Sequence, residues 1–544
     1  MISFPRSFRR VVAATFILIA SISFAADHAR VTLLVTTDLH GRIYPLDYYT
    51  NKPVDLGLAK LATLIKEARR ETPDLLLVDC GDTIQGTPLV YLHNRKNNTP
   101  TDPMMVVMNA LGYVSMTPGN HEYNFGRAVL EKARKEAKFP FLSANTYRAG
   151  TDELAYSAYV VKEVDGVRVG ILGLTTPAIP HWENPENYAG LEFRPLVSEA
   201  KKWTQILREK EHVDVVIVTA HFGLEEEPGT GKKPAGDFEG ENAALALARE
   251  VPGIDAIFLG HTHRDIPTME VNGVLLAQAG RWGYKMVRAD LELSKENGAW
   301  KVTAKNSKLI PVQCETAADP EILALAEPYQ RETQDWLSRK IGHSAKELDL
   351  SAGPLRDSAL LDLVQRAQME ACRADVSLAA TFNPRARIPA GDVTVRDIAG
   401  LYTYENTLVV VEVTGAQLKA VLEHSARYFL PYEPGKSPAD LVNRDVAPYN
   451  FDIAEGVSYE IDIRRPVGDR IQNLMFNGKP LAPDHKLRLA TNNYRYNGGG
   501  GYVMLREGRV LLRSSAEIRD IIIDWVEKHR EIPTEASNNW RILP

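Results

Sequence analysis

A chain of 544 residues with 44% hydrophobic and 25% charged content is long enough for two domains that each bury a core. Its formal net charge of −6 excludes the electrostatic footprint of a protein that grips a nucleic acid polymer, though local charge can still suit a small phosphorylated substrate. Cys80, Cys314 and Cys372 lie in three separate regions and cannot all pair, which excludes a disulfide scaffold.

In chain order, Arg6, Arg9 and Arg10 precede an apolar run from Val11 to Ile22, then Ser23-Phe24-Ala25-Ala26. This is the pattern of a signal peptide cleaved near Ala25 or Ala26, and it predicts a periplasmic or secreted protein with residues 1–26 removed. A membrane anchor is the bland alternative, but roughly a dozen apolar residues are short for a span. Val31 to Val35 reads as a strand; Leu58, Leu61, Leu64, Ile65 and Ala68 recur at helical spacing; Leu75 to Val78 is a second strand. Val167–Leu174, Val213–Val218 and Ile254–Leu259 continue the strands, with a helix predicted around Val197–Lys210. Asn272-Gly273 between apolar flanks predicts a hairpin. Strands alternating with helices argue for a layered α/β architecture with loops at the strand ends.

Pro311 to Asp319 breaks this pattern, and Pro320–Lys340 reads as a mostly polar helix suited to bridging two domains. The second half has strands at Leu408–Val413, Val457–Ile463 and Leu487–Thr491 and helices at Gly415–Phe429 and Ala516–His529. The reading therefore divides the chain into a leader (1–26), a first domain (27–318), a linker helix (319–340) and a second domain (341–544).

Metal-ligand residue types recur where the strands of the first half end: Asp38 and His40, Asp82, Asn120, His221, and His261 with His263. Asp38 and His40, two apart, are expected on one face of the strand. A lone strand-end histidine is usually hydrogen-bonded scaffolding. Asp, His, Asp, Asn, His and His-x-His delivered to one sheet edge form a different pattern, because neighbouring strand ends can converge. Imidazoles with carboxylates suit borderline divalent ions such as Mn, Zn, Co or Fe. Seven ligands exceed one tetrahedral site but match two ions sharing a carboxylate, as in two-metal hydrolases whose ions stand roughly 3.5–4 Å apart. His121, beside Asn120 in Gly119-Asn120-His121-Glu122, is left as a catalytic candidate.

Asp38-x-His40, Gly81-Asp82, Gly119-Asn120-His121-Glu122, His221 and Gly260-His261-x-His263 resemble, in order and spacing, the five-block signature of the calcineurin-like metallophosphoesterases. The resemblance covers about Val31 to Lys308 and implies a four-layer α/β/β/α catalytic domain. It implies that Asp38, His40, Asp82 and His263 hold one divalent ion and that Asp82, Asn120, His221 and His261 hold a second. It further implies that Asp82 bridges the two and that His121 faces the phosphate.

In the second half, Asn492 to Asn497 runs into four glycines and Tyr502, a place where the chain turns sharply or approaches a ligand. Tyrosines there can stack on a base, worth about 1–3 kcal/mol, or can cover apolar surface. Residues about 340–530 resemble the C-terminal α/β substrate-binding domain of exported 5′-nucleotidases. That resemblance implies a base sandwiched by Tyr449 and Tyr494, with Asn383, Arg387 and, more weakly, Arg356 gripping the substrate. It also implies a large rotation about the Pro320–Lys340 bridge.

Plain 5′-nucleotidases typically have Asp where Asn124 stands, Gln where His263 stands and an acidic ribose contact where Gly500 stands. Asn124, His263, Tyr402 to Leu408 and Tyr449 to Asp452 are instead similar to the bifunctional 2′,3′-cyclic-nucleotide 2′-phosphodiesterase/3′-nucleotidases. The resemblance implies hydrolysis of cyclic nucleotides to 3′-nucleotides and then to nucleosides, with a nucleotide as the small-molecule partner and Asn124 acting on His121. A 5′-nucleotidase with UDP-sugar hydrolase activity and a non-catalytic metal-dependent nucleotide-binding protein are the alternatives.

Overall fold

The computed structural model describes residues 28–543 except 228, 234–236, 352 and 405; the predicted leader, residues 1–26, lies outside them. Strand β1 (His28–Thr36) is followed by helix α1 (Leu58–Glu71), β2 (Leu76–Asp79), α2 (Pro103–Leu111) and the short β3 (Ser115–Met116). Next come β4 (Tyr159–Val164), β5 (Val167–Thr175), α3 (Leu196–Glu209), β6 (Val215–His221) and β7 (Ala256–Leu259). Two hairpins close the first half, β8 (Asp265–Val271) with β9 (Val274–Ala279) and β10 (Lys285–Glu296) with β11 (Ala299–Pro311). Asn272 and Gly273 both take positive φ in the first hairpin, as a type I′ turn requires.

These strands form two sheets, in the orders β11-β10-β1-β2-β3 and β8-β9-β7-β6-β5-β4. The sheets pack face to face because their inner strands are buried on both sides and alternate residues serve different cores. Val31, Leu33 and Val35 of β1 join Val169, Ile171, Val215 and Ile217 between the sheets. Leu34 points the other way, into a core with Leu58, Leu61 and Met104 of the outer helices. On the far side, Leu196, Ala200 and Leu207 of α3 cover Val216 and Val218. Helix, sheet, sheet, helix is the four-layer order expected.

Helix α4 (Pro320–Leu337) is N-capped by Asp319, whose carboxylate accepts from the Glu321 and Ile322 amides and pairs with Lys66. The helix is better anchored than its polar sequence suggests. Ile322, Ala326, Thr333 and Leu337 are buried, and Tyr44, Tyr48 and Tyr329 each donate a hydrogen bond joining the helix to the first half.

The second half holds α5 (Ala359–Cys372), β12 (Val376–Ala380), β13 (Thr407–Thr414), α6 (Gly415–Ser425), β14 (Asp452–Glu455), β15 (Lys486–Asn492), β16 (Arg509–Glu517) and α7 (Ile518–His529). Its main sheet has the order β14-β12-β15-β13-β16. This half leans directly on the first: Arg95 pairs with buried Glu517 at 3.0 Å, Lys96 with Asp520 at 3.2 Å, and Asn184 donates to Thr407 at 3.2 Å.

Asp362 of α5 is buried, and its Oδ2 accepts the Ser537 amide. Burial pushes its carboxyl up to about 7; the Ser537 N–H opposes that rise, and Asp357 and Glu455 add to it. A carboxyl raised above its unfolded value near 3.9 favours folding when protonated, so that stability is full at low pH and is lost between about pH 4 and 7. Asp362→Asn keeps an oxygen for Ser537 and removes the charge. Its stability relative to the native protein, read from melting curves, should climb from pH 4 to pH 8, by about 4 kcal/mol at the top. Parallel melting curves across that range would refute the assignment.

Candidate metal centre and substrate cleft

The neighbouring strands β1, β2 and β3 run parallel, as do β5, β6, β7 and β9 of the other sheet, so their C-terminal ends gather at one edge, where open α/β sheets bind ligands. The loops leaving β1, β2, β3 and β7, together with the last residue of β6, bring together all seven ligand positions read from the sequence. Ligand atoms of Asp38, His40, Asp82 and His263 lie within 4.8 Å of one another, and so do those of Asp82, His221 and His261. Asn120 Oδ1 closes the second group, 3.2 Å from His221 Nε2 and 2.9 Å from His261 Nδ1. Asp82 belongs to both groups, with Oδ2 3.1 Å from His221 Nε2 and 4.0 Å from His40 Nε2.

Asp38 and His40 do not converge by strand alternation. β1 ends at Thr36, and Asp38, His40, Asp82, His261 and His263 all take left-handed backbone with φ between 48° and 68°. Asp and His tolerate this region better than most residues, and such strain concentrates at functional sites. The glycines of the motifs follow from crowding. A Cβ on Gly119 would strike Asp82 Oδ1 and the His221 ring, and one on Gly81 would strike the Thr117 carbonyl and Gly119 amide.

Hydrogen bonds to the far ring nitrogens orient the imidazoles. His221 Nδ1 donates to the Cys80 carbonyl at 2.6 Å, leaving Nε2 toward Asp82. His261 Nε2 meets Glu241 Oε1 at 2.9 Å, leaving Nδ1 toward Asn120. His40 Nδ1 lies 3.1 Å from Gln85 Oε1, and His263 Nδ1 lies 3.1 Å from an Arg281 nitrogen. Glu122 is fully buried and accepts backbone N–H bonds from Gly119, Asp82, Thr83 and Ile84, pinning the loop of Asp82 to the loop of Asn120.

Charge shows what the cleft is built to hold. Burial alone would lower the His221 imidazole, but Asp82, Asp38 and Glu122 override it and raise it to about 10. Burial would raise Asp82, yet His221 and His121 pull it well below the usual carboxylate range. His40, with less anionic company, is pushed down to about 3 by burial. Buried carboxylates that stabilise positive charge among oriented imidazole and amide donors are the donor set for borderline divalent ions.

His121 sits beside this cluster with Nε2 4.0 Å from Asp82 Oδ2. Its Nδ1 meets Asn124 Oδ1 at 2.6 Å, and Asn124 Nδ2 donates to Glu183 Oε2 at 2.7 Å. The Trp182 ring stands 5.3 Å from that of His261, and its carbonyl accepts from Asn493 of the second half. Tyr494 follows directly. Burial raises the Tyr404 phenol, Tyr449 and Tyr494 add to the rise, and Arg281, which meets His263, opposes it.

Arg495 braces the segments that carry Tyr449 and Tyr494. It is 1% exposed, pairs with Asp452, and donates to the Tyr449 and Gly499 carbonyls and to Asn450 Oδ1. Gly500 has φ of 70°, and a Cβ there would strike Asn450 Oδ1 and Arg495. The other predicted contacts have neighbours of their own. Asn383 donates to the Gly400 carbonyl, Arg387 pairs with Glu347, and Arg356 lies near Asp349. Asn383 does adjoin Phe382, whose ring packs on Tyr402 and Tyr404. Glu122, Glu183, Glu241, Gln85, Trp182 and Arg281 were not singled out by the sequence as site residues.

The calcineurin-like phosphoesterase family model matches residues 31–265, and that of the 5′-nucleotidase C-terminal domain matches residues 340–507. With the buried Asp/His cluster, these matches define a metal-dependent phosphoric ester hydrolase. A 2′,3′-cyclic-nucleotide 2′-phosphodiesterase/3′-nucleotidase from Haemophilus influenzae is 32% identical, the alignment covering 99% of this chain and 92% of that one. The trifunctional nucleotide phosphoesterase protein YfkN of Bacillus subtilis is 31% identical over 96% of this chain, which spans only 39% of that relative's length. A solved Staphylococcus aureus structure, assigned as a 5′-nucleotidase, matches with a TM-score of 0.81 at 27% identity, covering 94% of this chain and 100% of that one. The chain belongs to the 5′-nucleotidase family of calcineurin-like metallophosphoesterases. Among the described residues no helix is long and apolar enough to cross a membrane.

Proposed function

We propose that this chain is an exported enzyme that opens 2′,3′-cyclic nucleotides to 3′-nucleotides and then removes the 3′-phosphate. The observation that carries the reading is the Asp/His cluster sharing Asp82, flanked by Trp182, whose ring lies 5.3 Å from that of His261 and whose carbonyl accepts from Asn493, the neighbour of Tyr494. Two divalent ions, drawn from Mn, Zn, Co or Fe, would supply positive charge to the phosphoryl oxygens and to the attacking and leaving oxygens. Asp38, His40, Asp82 and His263 would hold one ion, and Asp82, Asn120, His221 and His261 the other. His121 would present Nε2 to the phosphate or leaving oxygen, and Tyr449 and Tyr494 would stack on the base.

The crowding at Gly500 supports the 3′/cyclic branch. The acidic ribose contact expected there in plain 5′-nucleotidases has no room without displacing Arg495 or Asn450. The residual alternative is a 5′-nucleotidase. We retain the division into a leader (1–26) that serves as the export signal, a catalytic domain (27–318), a linker (319–340) and a substrate-binding domain (341–544) as part of the proposal.

Cells expressing the full chain should release chelator-sensitive activity in the exported fraction. The purified protein, with Mn, Co or Zn restored, should turn over 2′,3′-cyclic AMP and 3′-AMP at least about tenfold faster than 5′-AMP, a gap of about 1.4 kcal/mol. A preference for 5′-AMP would overturn the assignment.

A further inference from the structure

The hydrogen bonds behind His121 run through an amide to a carboxylate that belongs to no motif. Asn124 Oδ1 lies 2.6 Å from His121 Nδ1, and Asn124 Nδ2 donates to Glu183 Oε2 at 2.7 Å. Glu183 is 5% exposed, and its other oxygen is occupied: Oε1 accepts the Asn184 amide at 2.7 Å and Asn187 Nδ2 at 2.8 Å. The Arg95 guanidinium fixes the Asn124 backbone by donating to its carbonyl at 3.1 Å.

An ionised carboxylate only accepts hydrogen bonds, whereas an amide has one donating and one accepting end. Glu183 therefore dictates that the NH₂ of Asn124 faces it and that the oxygen faces His121. An oxygen opposite Nδ1 requires the hydrogen to sit on Nδ1, which leaves Nε2 as the nitrogen that exchanges a proton at the cleft.

We propose that Glu183 is a positioning residue for the reaction, setting the tautomer of His121 through the Asn124 amide. The inference rests on the reading that His121 faces the scissile phosphate. It replaces the direct His–Asp contact expected in relatives by a contact one residue longer, with the negative charge displaced from position 124 to position 183.

The polarity of this relay can be reversed and restored. Gln at 183 can keep one oxygen for the two donors at Oε1 and turn its NH₂ toward Asn124. The Asn124 amide then flips to accept, presents its own NH₂ to His121, and moves the ring hydrogen to Nε2. Asp at 124 combined with Gln at 183 accepts from both sides and returns the hydrogen to Nδ1.

The test is nitrogen NMR of ¹⁵N-histidine-labelled, zinc-loaded protein, with the His121 signal identified by its loss in His121→Gln, alongside kinetics on 3′-AMP. Native protein should show the Nδ1–H pattern, Glu183→Gln the Nε2–H pattern, and Asn124→Asp/Glu183→Gln the Nδ1–H pattern again. Glu183→Gln should lose about 10²-fold in kcat with KM within about twofold, and the double variant should recover most of that loss. A purely structural role for Glu183 predicts lower stability with no tautomer change and no recovery. An unchanged tautomer in Glu183→Gln, or a folded double variant as slow as the single one, would overturn the proposal. Should Glu183→Gln fail to fold, the double variant alone decides: Nδ1–H with near-native kcat supports the relay, and Nε2–H or a slow enzyme refutes it. Absence of nucleotide hydrolysis in the native chain would instead fail the proposed function, and the NMR arms would still read the relay.

Discussion

Replacing Asp82 with alanine is expected to abolish hydrolysis, with a fall of at least about 10³–10⁴-fold, and to strip both ions from the purified protein. The carboxylate lies in both ligand groups, 3.1 Å from His221 Nε2 and 4.0 Å from His40 Nε2, and it is 1% exposed. Each ion contributes several kcal/mol to the charge developed in phosphoryl transfer, and every 1.4 kcal/mol is tenfold in rate. The control is His263→Ala, which touches only the group of Asp38, His40 and Asp82. Metal analysis should find fewer than about 0.2 ions per chain in Asp82→Ala and about one in His263→Ala, since loss of a shared ligand disrupts both sites. The backbone amide of residue 82 keeps its bond to Glu122, so the fold should persist in both. Two full equivalents of metal in Asp82→Ala would eliminate the shared-carboxylate arrangement.

Arg495→Met should be the most damaging single change in the second half. It strands Asp452, which is fully buried and whose other oxygen has no hydrogen-bond partner. Breaking one partner of a buried ion pair costs about 3–5 kcal/mol, whereas replacing both by apolar groups is often neutral. For a unit of about 200 residues that loss corresponds to a melting shift of roughly 6–20 °C. The same guanidinium holds the Tyr449 carbonyl and Gly499, so KM for nucleotides should also rise, by on the order of tenfold if one base-stacking contact of 1–3 kcal/mol is loosened. Asp452→Leu/Arg495→Met separates the two effects: the melting temperature should return while KM stays high. Recovery of both would mean that Arg495 serves stability alone.

The candidate ligands were readable from sequence because their context is local: an apolar run, then Asp, His or Asn at each strand end, with a glycine just before Asp82, Asn120 and His261. Gly81 and Gly119 are part of that context for a reason now visible, since a side chain at either would collide with the opposite loop. The residues that orient those ligands were hidden. Glu183 stands 59 positions from Asn124 and Glu241 stands 20 from His261, each on a loop with no periodicity to mark it. Glu122 lay inside a quoted motif, yet its four backbone partners come from two separate loops. Helix α5 was not among the helices read from the sequence, and residues on every side of it are buried, from Ala359 through Gln365 and again at Ala367, Gln368 and Cys372.

Five of the seven ligand positions hold left-handed backbone, which Asp and His reach more readily than most residues but still at a cost in energy. Sheet edges and the four backbone bonds of Glu122 brace these loops against one another. Their carboxylate, imidazole and amide donors suit several borderline divalent ions alike, so the choice among them turns on geometry and on supply. The same chain would carry different metals in surroundings of different composition, and its catalytic character would follow the environment as well as the gene.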